Sequence, residues 1–206
     1  MTTRIIGTGS YVPEHIVTNN DLAQIVDTND EWIRSRTGIG ERRIATTEST
    51  SCMAAKAAMG ALEQSGVKPE EIDLILLGTS SPDYCFPNGA CEVQGMIGAV
   101  NAACYDISAA CTGFVYALNT AHAFISSGIY KTALVIGSDV LSKLIDWTDR
   151  GTCVLFGDGA GAVVVRADDT GILGINMKSD GTKGNVLTCG SRTNGNFLLG
   201  KKPELG

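Results

Sequence analysis

The stretch ACYDISAACTGFVYALNTAHAFISS, residues 103–127, decides the fold class of this 206-residue chain. Its first five residues predict a short strand, and the segment from Cys111 to Ser127 predicts a helix that ends at Gly128. Bulky apolar side chains leave no face of this helix consistently polar. They are Phe114, Val115, Tyr116, Leu118, Phe124 and Ile125. We therefore expect the helix to be buried on nearly all sides, between one sheet and a second layer.

Strands and helices alternate along the rest of the chain. The predicted strands span residues 4–10, 73–79, 132–138, 153–156, 160–166 and 172–178. The predicted helices run from Asn19 or Asn20 to Val26, from a Thr28–Glu31 capping box to Gly38, over 51–65 before Gly66, and over 88–99. Continuous apolar strands separated by helices are typical of a mostly parallel sheet that is covered on both faces. The predicted fold class is α/β.

The composition is that of an ordinary globular protein, with 44% hydrophobic and 18% charged residues. The 16 basic and 22 acidic residues give a net charge of -6, which argues against a general binder of nucleic acid or of an anionic membrane. Residues 107–130 carry no charge, but their polar side chains oppose a membrane span. The first twenty residues contain no continuous apolar run, so we expect no secretory signal and a cytoplasmic protein.

One of the seven cysteines stands out by its position. No two of them form a Cys-x-x-Cys pair, which counts against a metal site or a redox pair, and most should be small buried hydrophobic residues. Cys111 instead lies where a strand passes into a helix, whose N–H groups and dipole favour a thiolate and an adjacent oxyanion. Its small neighbours Ala109, Ala110 and Gly113 let a substrate carbonyl approach. We interpret Cys111 as a nucleophile and the other six cysteines as structural.

Four arginines lie within ten positions of this acidic chain, opposed there only by Glu41. They are Arg34, Arg36, Arg42 and Arg43. Together with Trp32 they suit a flat base that carries phosphates, through stacking and charge-assisted hydrogen bonds. A solvated basic helix face with Trp32 in the core explains the same residues equally well.

The stretch GDGAGA, residues 157–162, nominally fits the dinucleotide-binding fingerprint. That fingerprint must open a helix, whereas AVVV at residues 162–165 predicts a strand. We therefore interpret the glycines as a tight turn between two strands. A nicotinamide-dependent enzyme is the least favoured class.

Separated motifs in the chain resemble those of β-ketoacyl-acyl carrier protein synthase III. In order they are EWIRSRTGI at 31–39, TSSPD at 79–83, ACTGF at 110–114, RGT at 150–152 and FGDGAGA at 156–162. The resemblance runs from about residue 3 to the end of the chain. It implies the thiolase-like fold, in which two similar halves stack as α-β-α-β-α layers. It also implies acyl transfer from acyl-CoA to cysteine, then decarboxylative condensation with malonyl-acyl carrier protein, at the start of fatty-acid synthesis and in a homodimer.

The resemblance assigns roles to particular residues. Cys111 matches the acyl-accepting nucleophile, and its own N–H would form part of an oxyanion hole. The positions that match contacts to coenzyme A or the acyl group are Thr28, Trp32, Arg36, Thr37, Phe86, Arg150, Gly151 and Phe156. Trp32 and Arg150 match the residues that sandwich the adenine, Thr28 a contact to the base, and Arg36 a contact to the phosphates. Phe86 and Phe156 match the primer pocket, with Phe86 reaching across the dimer interface. Acyl-CoA is a substrate in this reaction, so we expect no cofactor and no metal.

The chain departs from the family in length. Family members are roughly half again as long, and their catalytic histidine and asparagine lie in the second half. His122 follows Cys111 by eleven residues on one helix, about 16 Å at ~1.5 Å per residue, and we expect it to be a hydrogen-bonded interior residue. We expect residues 1–170 to be the N-terminal half with the nucleophile, and 171–206 to be the incomplete beginning of the C-terminal half. On this interpretation the 206 residues are a fragment of a longer enzyme and inactive alone, rather than a natural half that needs a partner.

Other functional classes stay open. A starter polyketide synthase or a degradative thiolase shares a cysteine at a helix start, although Trp32, Arg36 and Arg150 favour the synthase III type. A non-catalytic interaction protein would keep the fold but would not need Cys111 beside small residues.

Overall fold

The computed structural model describes residues 2–190 and residue 200. Its strands are β1 (Thr2–Tyr11), β2 (Ile16–Thr18), β3 (Glu41–Arg43), β4 (Leu74–Gly78), β5 (Ala103–Ile107), β6 (Thr132–Val140) and β7 (Asp158–Asp168). Its helices are α1 (Asn19–Leu22), α2 (Asp30–Thr37), α3 (Thr50–Ser65), α4 (Gly89–Ile97), α5 (Gly113–Ser126) and α6 (Arg150–Cys153). Two compact units divide the chain, Met1–Leu173 and Gly174–Gly206.

The main sheet of the first unit has the strand order β1-β7-β6-β4-β5. The pairs β5–β4 and β4–β6 are parallel, whereas β6–β7 and β7–β1 are antiparallel. The prediction of a mostly parallel sheet is therefore wrong for half of these pairs. The chain returns from β6 to β7 through the short helix α6 instead of a long crossover helix, so β7 runs back beside β6.

Helices cover both faces of this sheet. The interior strand β4, with the sequence LILLG, is buried at every position. An alanine-rich face of α3 packs with α4 against one face of the sheet, and α5 packs against the other. The α/β class is thus confirmed, and the described residues form three layers, α-β-α.

The expectation that the Cys111 helix is buried on nearly all sides is wrong for the part of the chain that the structure describes. Its buried face carries Gly113, Ala117, Ala121 and Ile125, whereas Val115 on the other side is 49% exposed. The sheet can cover one face of α5 only, and no further layer covers the other among residues 2–173.

The predicted helix ends agree with the structure better than the predicted helix starts do. Gly38 and Gly66 end α2 and α3 in the left-handed conformation, as predicted. The N-cap of α2 is Asn29, whose side chain accepts the Trp32 N–H, and not Thr28 of the predicted capping box. Thr18 likewise caps α1 in place of Asn19 or Asn20. In both cases a polar residue one position away takes the extended conformation that an N-cap requires.

Two predicted strands are absent from the described residues. Cys153 instead ends α6 and residues 154–156 follow it. Strand β7 begins at Asp158, so Gly159 and Gly161 lie inside a strand and do not form a turn. The segment 172–178 forms no strand, because an apolar run extends into a sheet only where a neighbouring strand can pair with it. In the second unit, Asp180 caps a single turn at Gly181–Lys183.

Candidate active site

Cys111 stands exposed between strand β5 and helix α5. It is the middle residue of a single 3-10 turn, Ala110–Thr112, that leads directly into the helix. Ala110 has a φ of 45°, a left-handed conformation that is uncommon for alanine and that clusters at functional sites. The turn is closed by Thr112, whose N–H and hydroxyl both donate to the carbonyl of Ala109, at 3.1 and 2.8 Å. No side chain caps either this turn or α5.

The position of the turn is fixed by a close approach of backbones. A Cβ placed on Gly78, at the end of β4, would lie 2.7 Å from the carbonyl carbon of Gly113 and 2.8 Å from the nitrogen of Phe114. Only a glycine allows the first turn of α5 to lie this close to β4. The sheet therefore holds the start of α5, and Cys111 with it, in a defined place.

A second feature brings together two residues that lie far apart in the sequence. The guanidinium carbon of Arg150 lies over the Trp32 ring, 4.2 Å from its centroid. Trp32 is half-buried at the edge of an apolar cluster that joins α2 to α6 through Ile33, Cys153 and Val154. The two predicted adenine contacts are thus neighbours, and a flat base would have to enter between them.

The four clustered arginines have different surroundings. Arg34 pairs with Asp30 on the same helix at 2.9 Å, and Arg43 donates to the carbonyl of Pro13. Arg42 is 5% exposed and bonds to protein groups only. Within the described residues, Arg36 alone of the four is exposed and makes no hydrogen bond or ion pair. The expected four-arginine anion site therefore reduces to Arg36, with Arg150 beside Trp32.

The other predicted contacts of coenzyme A lie around this stack. The hydroxyl oxygen of Thr28 is buried without a partner among the described residues. The Thr37 hydroxyl donates to the carbonyl of Ile33 at 2.7 Å. Gly151 is the second residue of α6, and its N–H donates to Asp149 at 2.8 Å. These placements leave the roles of Thr28, Arg36, Thr37 and Gly151 as predictions.

The two predicted residues of the primer pocket differ in exposure. Phe86 is 86% exposed and precedes a cis peptide bond to Pro87. Phe156 is half-buried between α6 and β7. Their role at a primer pocket, and the reach of Phe86 across a dimer, stay predictions.

The two histidines lie in different parts of the fold. The Nδ1 atom of His122 lies 2.9 Å from the Thr3 hydroxyl and 3.3 Å from that of Ser126. This hydrogen-bonded position agrees with the sequence analysis. His15 is exposed and directly precedes β2 of the two-stranded β2–β3 sheet.

The prediction that most cysteines are buried is wrong. Cys153 is buried and Cys52, Cys91 and Cys104 are half-buried, whereas Cys85 and Cys189 are exposed like Cys111. Burial raises the pKa of Cys104 to about 12, an effect that the neighbouring Cys91 strengthens. Such a thiol is a poor nucleophile at neutral pH.

Sequence reasoning missed four carboxylates that hold the loops around the sheet. Asp139 accepts hydrogen bonds from Ser80 and Ser81, and Asp158 from Ala45 and Ser142. Asp83 and Asp106 accept the first N–H groups of α3 and α4. Asp83 and Asp158 accept from backbone N–H groups that lie far away along the chain, at Thr50 and Ala45, so no local sequence signal identifies these bonds.

Comparisons with known proteins agree with this geometry. Residues 105–181 match the family model described as 3-Oxoacyl-[acyl-carrier-protein (ACP)] synthase III. A Clostridium acetobutylicum protein named beta-ketoacyl-[acyl-carrier-protein] synthase III is 64% identical over 186 residues, which are 90% of this chain and 57% of that protein. Over the residues that these comparisons cover, the chain is similar to the synthase III family.

Solved structures of synthase III relatives share the fold. The synthase III of Pseudomonas aeruginosa PAO1 superposes with a TM-score of 0.89 at 39% identity, over 98% of this chain and 62% of that one. The priming beta-ketosynthase of the R1128 polyketide biosynthetic pathway superposes with a TM-score of 0.85 at 35% identity, over 100% of this chain and 63% of that one. The chain spans less than two thirds of the length of these synthase III relatives. None of its described helices is both long and apolar enough to cross a membrane.

Proposed function

We propose that this protein acts as a β-ketoacyl-acyl carrier protein synthase III. It transfers an acyl group from acyl-CoA to Cys111 and then condenses that group with malonyl-acyl carrier protein, at the start of fatty-acid synthesis. The observation that carries the proposal is the exposed Cys111 at the start of α5, where no side chain caps the helix. We further propose a cytoplasmic homodimer that needs no cofactor.

The acyl transfer follows from the surroundings of the sulfur. The Cys111 sulfur attacks the thioester carbonyl carbon, a new sulfur–carbon bond forms, and the bond to the coenzyme A sulfur breaks. The thiol proton of Cys111 leaves with coenzyme A as its free thiol. In the transition state the carbonyl oxygen carries negative charge, which the N–H groups at the start of α5 stabilise. No Asp, Asn, Ser or Thr side chain caps this start, but the Gly113 N–H donates to the carbonyl of Ala110. We therefore assign the oxyanion to the N–H groups beside it, including that of Cys111.

The nucleotide end of acyl-CoA fits the stack of Trp32 and Arg150. Both groups are flat, and both form favourable contacts with an aromatic base. Arg36, exposed on the last turn of α2, can pair with a phosphate. These contacts hold the substrate far from the reacting carbon, so they lower its KM more than they change the chemical step.

The condensation step is proposed from family membership. Decarboxylation of malonyl-acyl carrier protein releases CO2 and leaves a carbanion, which attacks the acyl carbon on Cys111 and frees its sulfur. Among the residues that the structure describes, neither His15 nor His122 lies at Cys111, since His122 bonds to Thr3 near the far end of α5. The described residues therefore account for the nucleophile and the nucleotide contacts of the proposed enzyme.

Intact mass measurement tests the acyl transfer. We incubate the full-length protein with acetyl-CoA and expect one acetyl group per chain on the wild type and none on Cys111→Ser. The matched control is Cys189→Ser, which removes another exposed thiol and should keep the adduct. An adduct that persists in Cys111→Ser, or a folded wild type without any adduct, would contradict the proposal.

The similarity to the priming beta-ketosynthase supports a second candidate, a starter synthase of a polyketide pathway. Both candidates acylate the cysteine, so the mass experiment does not separate them. Turnover of malonyl groups on carrier proteins from fatty-acid and polyketide pathways does. We expect faster turnover with the fatty-acid carrier protein, and the reverse preference would favour the starter synthase.

A further inference from the structure

Arg42 is a buried cation with no carboxylate partner among the described residues. It lies on β3 and is 5% exposed. Its Nη1 atom donates to the carbonyl of Val17 at 3.1 Å, and its Nη2 atom to the Asn19 side chain at 2.8 Å and the carbonyl of Val154 at 3.4 Å. Its Nε atom is buried without a partner in this part of the chain. Burial lowers the pKa of Arg42, which reflects the cost of keeping a charge there.

The contacts of Arg42 lead to the two elements that carry the Trp32–Arg150 stack. Toward α2, the amide nitrogen of Asn19 donates to Asp30 in the first turn and to the carbonyl of Ile39 just past the last turn, both at 2.8 Å. Asn19 therefore holds α2 at its two ends. Toward α6, Val154 is the residue that caps the C-terminus of the helix on which Arg150 lies.

Close packing around Arg42 restricts the position of the chain that follows α6. A Cβ on Gly157 would lie 3.1 Å from the Cβ of Arg42 and 3.1 Å from the carbonyl oxygen of Arg43. The chain that follows α6 therefore passes directly over β3. A smaller or uncharged side chain at position 42 would lack the forked guanidinium group, which bonds toward α2 and α6 at the same time.

We infer that Arg42 is a positioning residue for the nucleotide of acyl-CoA, because its buried guanidinium holds α2 and α6 at the separation that places Trp32 beside Arg150. It acts through these two residues and touches neither the substrate nor Cys111. This inference rests on the proposed function. It predicts that Arg42 matters for substrates that carry the nucleotide and not for those that lack it.

Two thioesters separate this role from a general structural one. Acetyl-CoA carries the nucleotide, whereas the acetyl thioester of N-acetylcysteamine keeps the reacting end only. We measure the rate constant for acetylation of Cys111 by each thioester, in full-length wild type, Arg42→Gln and Arg42→Lys. The matched control is Arg166→Gln, which removes a half-buried arginine that bonds to Thr132 and Glu71.

In Arg42→Gln we expect the rate constant with acetyl-CoA to fall at least about tenfold and that with the truncated thioester to stay within about twofold. Arg42→Lys should show the same pattern, because one ammonium group cannot serve acceptors on two elements. Arg166→Gln should leave the ratio of the two rate constants at the wild-type value. If Arg42→Gln does not fold, Asn19→Ser replaces it, because this change removes the contact between Arg42 and α2. We expect the same ratio of the two rate constants.

Equal losses with both thioesters would assign Arg42 a structural role and overturn the inference, as would an unchanged rate with acetyl-CoA. In either case the proposed function is still supported if acetyl-CoA acetylates Cys111 of the wild type. A folded wild type that takes acetyl from neither thioester would overturn both.

Discussion

Helices α3 and α5 start next to the same sheet, but their first N–H groups have different partners. At α3, the Asp83 carboxylate accepts the N–H groups of Thr50 and Ser51, and the Ser49 hydroxyl accepts that of Cys52. At α5 no side chain caps the helix, and the exposed residue beside it is Cys111.

The difference shows which helix start is structural and which is available for chemistry. A closed start uses the positive end of the helix dipole for stability. An open start gives up that stabilisation and leaves its N–H groups for a substrate oxygen. Helix α4 belongs to the closed type, because Asp106 and Asn88 accept its first three N–H groups.

Gly78→Ala should have the largest effect, because its Cβ would displace the open start of α5. We expect a loss of about 2–3 kcal/mol in the free energy of unfolding from overpacking. Acetylation of Cys111 should slow about a hundredfold, since an error of this size misplaces the reacting atom. Chemical denaturation and the rate of acetyl transfer measure the two effects.

The matched control for this change is Gly95→Ala in α4, where nothing lies within 4 Å of the added methyl group. It should stabilise the helix by about 0.5–1 kcal/mol and leave acetyl transfer unchanged. A wild-type rate of acetyl transfer in Gly78→Ala would show that the close approach does not position Cys111.

Asp83→Asn opens the closed start of α3. We expect a loss of about 1–2 kcal/mol in the free energy of unfolding, with no change in acetyl transfer. Burial alone would raise the pKa of Asp83, but hydrogen bonds from Ser51 and Thr50 and the charge of Lys143 outweigh it and lower the pKa to about 2. The stabilisation is therefore fully present above the ordinary carboxyl pKa near 4, and it is lost as the pH falls through about 2.

Thermal unfolding across pH measures this effect. The difference in Tm between wild type and Asp83→Asn should be constant above pH 5 and shrink toward pH 2. A difference that is the same at every pH would mean that the ionised Asp83 does not hold α3.

Ala109→Asp adds a carboxylate at the N-cap of the 3-10 turn that contains Cys111, just before α5. We expect acetyl transfer to slow about tenfold, because the negative charge opposes the thiolate and competes for the N–H groups of the helix. Rates measured for Ala109→Asn separate the charge from the added side chain, and Asn should slow the reaction less. Equal rates in Ala109→Asp and the wild type would remove the distinction between open and closed starts.

The sequence predicted well those features that short stretches of chain determine. Strand β5 and the glycine ends of α2 and α3 lie where the pattern placed them, because each depends on local apolar residues or on a single left-handed residue. Cys111 was located in the same way, from a strand, a few small residues and a helix.

Features that depend on distant contacts could not be predicted. Residues 158–161 form part of β7 because β6 pairs with them and β1 pairs from Ala160 onward, and no local signal distinguishes that from a turn. Arg42 looks like its neighbours Arg34 and Arg43 in the sequence, yet its partners Val17 and Val154 come from opposite directions along the chain. Counting arginines in the sequence therefore overestimated the number that are free to bind an anion.

The most direct test compares the reactivity of the exposed thiols. We treat the intact, folded full-length protein with iodoacetamide at neutral pH and follow the alkylation of each cysteine by peptide mass spectrometry. Cys111 should react at least about tenfold faster than Cys85 and Cys189, which are also exposed but lie outside a helix start. Alkylation of all three at the same rate would contradict the claim that the uncapped start of α5 activates Cys111.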